Sequence, residues 1–191
     1  MPALSVADRT NAVLVVIDLQ ERLAAAMTAR DSALDAADKL VRVAALTGVP
    51  VIATRQYPAG LGDIEPPLRA ALDAAAAQAN VTTIDKMAFD CFAEPRFRSG
   101  LEATGRRQLV VAGMESHICV TQTALAGLRA AFDVHVVADA CCSRDMTAHE
   151  LALERMRAAG AVITSTESVL YELVGVAGTE EFKALLKVVK G

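Results

Sequence analysis

The chain predicts an α/β protein, a mostly parallel sheet sandwiched between helices. Three observations lead there. Short, nearly continuous apolar runs alternate with segments of helical periodicity about six times along the chain. The runs end in polar or charged residues, as strands buried on both faces do. The 191 residues, 53% of them hydrophobic with a mean hydropathy of +0.35, supply the apolar material for one buried core.

The elements follow in order. Residues 11–18 (NAVLVVID) read as the first strand, closed by a carboxylate. Residues 33–46 carry apolar positions at helical spacing, and Gly48 ends that helix. Residues 49–54 form the second strand. Residues 56–67, with three prolines and two glycines, form a loop. An Ala-rich helix over 68–78 leads to a third strand at 81–85. Residues 87–95 look irregular, and 96–104 form a short helix. A fourth strand at 108–113 precedes a helix over 118–131, and a fifth strand spans 134–138. A helix at 146–159, a sixth strand at 161–164 and helices at 166–174 and 180–189 complete the chain. No linker or internal repeat divides it, so residues 1–191 read as a single domain.

Composition excludes several classes. Nineteen Lys and Arg against 23 Asp and Glu give a net charge of −4, and aromatics are 4%. Nucleic-acid binding, which needs a basic surface and stacking platforms, is disfavoured. No apolar run reaches the roughly 18 residues of a membrane span. Residues 1–10 hold Asp8 and Arg9 and lack the apolar region of a secretory leader. The four cysteines show no C-x-x-C spacing, and adjacent Cys141 and Cys142 pair poorly. Free thiols in a reducing cytoplasm are expected.

Sites in open parallel sheets form at the carboxyl ends of strands. There stand Asp18, Thr54-Arg55-Gln56, Asp85-Lys86, the segment from Gly113 to Cys119, and Asp139. Cys119 falls in the first turn of a predicted helix, where the helix dipole favours a thiolate and backbone N–H groups can hold an oxyanion. Taken alone, it reads equally as a packed thiol. Asp18 serves either as a functional carboxylate or as a helix N-cap. A lone Lys86 is ordinarily a solvated side chain. His117, His135 and His149 form no metal-ligand pattern. No nucleophile elbow, P-loop or dinucleotide fingerprint is present.

Three dispersed segments then match a known family in order: VVIDLQ at 15–20, DKMAF at 85–89 and VAGMESHICVTQTA at 111–124. The chain resembles the isochorismatase-like cysteine hydrolases. TRQYPAGLG (54–62), VVADACCSRD (136–145) and LALERMRAAGA (151–161) bring it nearest the isochorismatase domain-containing proteins. The resemblance implies a three-layer α/β/α sandwich with a six-stranded parallel sheet of order 3-2-1-4-5-6. It implies a catalytic triad of Asp18, Lys86 and Cys119, a cis peptide at Met114–Glu115, and an oxyanion hole from the N–H groups of Glu115 and Cys119. Gln20, Gln56, Tyr57, Phe89 and Phe92 are expected to line the substrate pocket, with plain packing as the other role for the two phenylalanines. Thr54-Arg55-Gln56 replaces the metal-binding D-x-H of nicotinamidases, so no metal and no cofactor are expected.

Since Cys119 is present, cleavage of an amide or related C–N bond of a small molecule through a thioester is favoured. The alternatives are vinyl-ether hydrolysis without the thiol, and a non-catalytic scaffold or partner-binding protein. Relatives form dimers, tetramers or larger rings, and the apolar stretch 182–189 and the Ala-rich helices suit such a homo-oligomer.

Overall fold

Six parallel strands form one sheet in the order β3-β2-β1-β4-β5-β6. They are β1 (Ala12–Ile17), β2 (Val51–Gln56), β3 (Val81–Lys86), β4 (Gln108–Met114), β5 (Asp133–Cys142) and β6 (Val162–Thr164). This computed structural model describes residues 6–190; residues 1–5, half of the segment read above as lacking a leader, lie outside it.

The helices are α1 (Glu21–Ala24), α2 (Arg30–Thr47), α3 (Pro58–Leu61), α4 (Pro66–Ala75), α5 (Pro95–Thr104), α6 (Thr121–Arg129), α7 (Met146–Ala158), α8 (Thr166–Val174) and α9 (Glu180–Lys190). β1 shows why both faces must be covered. Its alternate residues point to opposite sides of the sheet. Leu14 and Val16 join the core made with α2, α8 and α9, whereas Val13, Val15 and Ile17 join the core made with α5, α6 and α7. Every residue of β1 is buried, so the strand is a continuous apolar run.

The chain order reverses between β1 and β4, which both leave the middle of the sheet. That is the switch point at which a parallel sheet opens a crevice. Ile17 pairs with Gly113 there. Gly113 has φ 137°, and a Cβ on it would stand 2.1 Å from the Ile17 carbonyl oxygen. Only glycine lets the two strands approach so closely.

Some sequence expectations need correction. β5 does not stop at residue 138 but runs to Cys142, with a shift in its pairing to β4 between Val111 and Gly113. Asp139 is therefore no strand end; it accepts from the Thr166 N–H and Oγ1 at 2.7 and 2.9 Å and ties down the start of α8. The loop expected at 56–67 contains α3 and the first turn of α4, both opened by proline. In the apolar stretch 182–189, Leu185 is buried in the chain's own core and Phe182, Val188 and Val189 are partly buried against it.

Candidate active site

The site grows from Asp18, the residue after β1. Its φ of 52° is uncommon for a residue with a side chain but tolerated by aspartate, and it swings the chain off the sheet. The turn is held by the Asp18 N–H on the Thr54 carbonyl (3.2 Å) and the Gln20 N–H on the Asp18 carbonyl (2.8 Å). Lys86 ends β3, two strands away. Its Nζ lies 2.7 Å from Asp18 Oδ2, and both side chains are fully buried. Thr54 Oγ1 donates to the other carboxylate oxygen at 2.7 Å. Lys86 Nζ also donates to Gln56 Oε1 (2.7 Å) and to the Ala88 and Phe89 carbonyls (3.3 and 3.4 Å).

A buried ion pair survives only when hydrogen bonds satisfy what the pair leaves over, and here they do. Burial alone disfavours the Lys86 ammonium. Asp18 outweighs it, with further support from Cys91 and Cys119, and the Lys86 pKa lies above the usual lysine value.

Cys119 comes to this pair from β4. Between β4 and α6 the chain makes a π-helical turn, Ser116–Val120, rather than the continuous α-helix expected from residue 118. Such turns recur at functional sites. Cys119 faces the Asp18 carboxylate and is 5% exposed. Burial, then the Asp18 charge, push its pKa well above an ordinary thiol, and Lys86 only partly offsets them. Burial and the Asp18 charge thus act against the dipole-stabilised thiolate and favour the neutral thiol beside the carboxylate.

The turn is tied outward. The Met114–Glu115 peptide is cis. The Glu115 carbonyl accepts from the Ile118 and Val120 N–H groups (3.0 and 3.3 Å). Its carboxylate accepts from the Arg144 N–H and Nε at 3.1 and 3.0 Å. Ser116 Oγ pairs with His149 Nδ1 (2.8 Å), and His117 Nδ1 with Ser143 Oγ (2.9 Å). Thr54, Gly113, Ser143, Arg144 and His149 thus belong to the site's framework, and sequence reasoning did not assign them. Thr54 stood in a quoted motif beside Gln56, and its hydroxyl at a strand end was the available signal.

The expected pocket residues divide. Tyr57 and Phe89 are half exposed beside the ion pair; the Tyr57 N–H donates to the Lys86 carbonyl at 2.9 Å. Gln20, Gln56 and Phe92 are engaged within the chain. Phe92 packs edge-on against Phe97 and Phe132, with centroids 5.3 and 5.7 Å apart, partly buried against the core. The Gln20 amide is spent on the main chain of Gln56 and Gly62, and the Gln56 amide on Lys86 and Met87. Among the described residues no group of three or more His, Cys, Asp or Glu is placed to hold a metal. An apolar groove of about 430 Å³ between α2, α4 and α9 is lined chiefly by alanines and does not reach Asp18, Lys86 or Cys119.

The family model described as the isochorismatase domain matches residues 12–168. The chain belongs to the isochorismatase family. Among isochorismatase relatives, it is 33% identical to isochorismatase domain-containing protein 2A of Mus musculus over 94% of this chain and 83% of that one. It is 35% identical to the secreted isochorismatase effector Isc1 of Phytophthora sojae, over 94% of this chain and 85% of that one. The solved structure of MAR1 ribonuclease from Caenorhabditis elegans superposes with a TM-score of 0.89 at 31% identity, covering 98% and 93% of the two chains. The family supports a hydrolase, and the isochorismatase sheet order is the one found here.

Proposed function

We propose that this isochorismatase-family chain is a cysteine hydrolase that cleaves an amide or related C–N bond of a small molecule. The observation that carries the proposal is a buried thiol beside a carboxylate that an ammonium pins in place. Asp18 takes the thiol proton as Cys119 Sγ attacks the carbonyl carbon. Because the thiol rests neutral, proton transfer accompanies attack instead of preceding it. The N–H groups of Glu115 and Cys119 receive the oxyanion, at about 2.7–4 kcal/mol per donor. Asp18 returns the proton to the leaving amine as the C–N bond breaks. Water then attacks the thioester, Asp18 accepts its proton, and the thiol is restored. Lys86 stays charged throughout. Every step uses protein groups and water.

Residues 1–191 act as one domain. The chain works in the cytoplasm, which suits four unpaired, buried cysteines. It assembles as a homo-oligomer through exposed apolar residues such as Met146 and Leu151, which light scattering tests. RNA is not the substrate these residues favour, given the net charge of −4.

The test is a panel of primary amides, carbamoyl compounds, a vinyl ether and RNA, assayed with wild type and Asp18→Asn. Hydrolysis of an amide or carbamoyl compound, lost at least a hundredfold in Asp18→Asn, supports the scheme. Near-normal turnover by Asp18→Asn would sink it, and cleavage of the vinyl ether or RNA alone would replace it.

A further inference from the structure

We infer that Gln56 is a positioning residue of the catalytic centre: its side-chain amide aims the Lys86 ammonium at Asp18. The placement stands on hydrogen bonds; its catalytic consequence rests on the hydrolase reading above.

Four protein oxygens surround Lys86 Nζ, and an ammonium has three protons to give. Two acceptors are close, Asp18 Oδ2 and Gln56 Oε1, both at 2.7 Å. The other two, the Ala88 and Phe89 carbonyls, stand at 3.3 and 3.4 Å on the loop beyond β3. Removing the Gln56 oxygen would leave those two carbonyls as the competitors of Asp18 and let the ammonium swing toward them.

The orientation of Gln56 is determined twice over. An ammonium only donates, so Oε1 must face it. Nε2 then needs an acceptor, and the Met87 carbonyl lies 2.7 Å away. Exchanging the two ends of the amide would place donor against donor and leave the Met87 carbonyl facing an oxygen.

The main chain of Gln56 is gripped in turn. Gln20 Oε1 accepts from the Gln56 N–H at 2.7 Å, and Gln20 Nε2 donates to the Gln56 and Gly62 carbonyls at 3.1 and 2.8 Å. Gln20 itself hangs from the Asp18 turn through its N–H. A closed circuit therefore joins the ends of β1, β2 and β3 through Asp18, Gln20, Gln56 and Lys86. Both glutamines are buried with every side-chain polar atom engaged, so their role is inward, toward the charge, and not toward a ligand.

The charged and titratable groups facing Lys86 are Asp18, Cys91 and Cys119. The experiment follows Lys86 directly. The chain has five lysines, so protein labelled with 13C-lysine gives few signals, and Lys86→Arg identifies the one that matters. Wild type, Gln56→Leu and Gln56→Glu are titrated by the 13Cε shift, and the iodoacetamide rate at Cys119 is read by peptide mass spectrometry. Gln56→Leu should lower the Lys86 midpoint by about one pH unit or more and slow Cys119 alkylation at least fivefold. Gln56→Glu, which keeps an acceptor, should hold the midpoint at or above that of wild type.

An unchanged midpoint with an unchanged Cys119 rate in Gln56→Leu overturns the inference. Should Gln56→Leu not fold, a midpoint below wild type in Gln56→Glu overturns it instead. A lowered midpoint in Gln56→Leu beside a wild type that hydrolyses none of the amides and carbamoyl compounds supports the placement and contradicts the hydrolase reading.

Discussion

The two halves of the site are built differently. The half at the ends of β1, β2 and β3 is closed. Asp18, Thr54, Gln56 and Lys86 are buried and satisfy one another. The half at the ends of β4 and β5 is tied outward. The residues flanking Cys119 lean on Ser143, Arg144 and His149, and the Arg144 side chain is 59% exposed. The difference separates two demands of the chemistry. In the proposed reaction, fixed charge has to be preorganised away from water, while the thiol that would exchange a proton and carry the acyl group needs a way in.

The largest expected effect comes from breaking the closed half. Lys86→Ala leaves the Asp18 carboxylate buried without its counter-charge, which costs about 3–5 kcal/mol. Urea unfolding should show that loss, together with loss of any hydrolysis. A cost below about 1 kcal/mol would mean that the half is not closed as described.

The alkaline response is intermediate. Burial pushes Cys91, Cys141 and Cys142 each up to about 12 in the folded chain, against 9.0 for a free thiol. An acid whose folded pKa is raised is stabilised as the neutral form, so stability falls as pH rises through the unfolded value and on toward the folded one. Each such thiol should cost about 1.4 kcal/mol at one pH unit above its unfolded pKa. Lys86 adds to the same fall: its raised pKa gives a contribution that is full below the unfolded lysine value and is lost as pH rises from there through the folded value. The urea midpoint should therefore begin to fall near pH 9, and Cys91→Ala should remove one thiol's share of that fall.

The smallest effect belongs to the outward half. Arg144→Ala removes a partner of Glu115, but the guanidinium is mostly in water and the Glu115 carboxylate keeps the residue-144 backbone N–H. The expected cost is about 1 kcal/mol or less by urea unfolding. A cost as large as that of Lys86→Ala would erase the contrast between the halves.

The sheet was legible because buried parallel strands are apolar runs, and β1 to β4 lie within a few residues of the runs that predicted them. β5 ran long because its end, from Asp139 to Cys142, mixes a carboxylate with small residues, and pairing with β4 decides its length. In the site, motif order brought forward Asp18, Lys86 and Cys119. What could not be read was direction. Gln20 and Gln56 carry the same amide whether they face a ligand or a buried ammonium, and only the positions of Lys86 and Met87 decide. Phe92 was similarly ambiguous until Phe97 and Phe132 claimed its ring. The protonation of Cys119 depends on burial and on the nearness of Asp18, and no spacing along the chain encodes either.

The central claim is that Cys119 becomes covalently acylated while Asp18 handles its proton. The most direct measurement is intact-mass spectrometry of rapidly quenched mixtures of the enzyme with whichever amide or carbamoyl compound it hydrolyses, beside Cys119→Ala. The account predicts a transient added mass equal to the acyl group, located on the peptide that contains Cys119. It predicts neither adduct nor turnover in the variant. Hydrolysis that persists in Cys119→Ala at the wild-type rate, with no adduct in either protein, would contradict it.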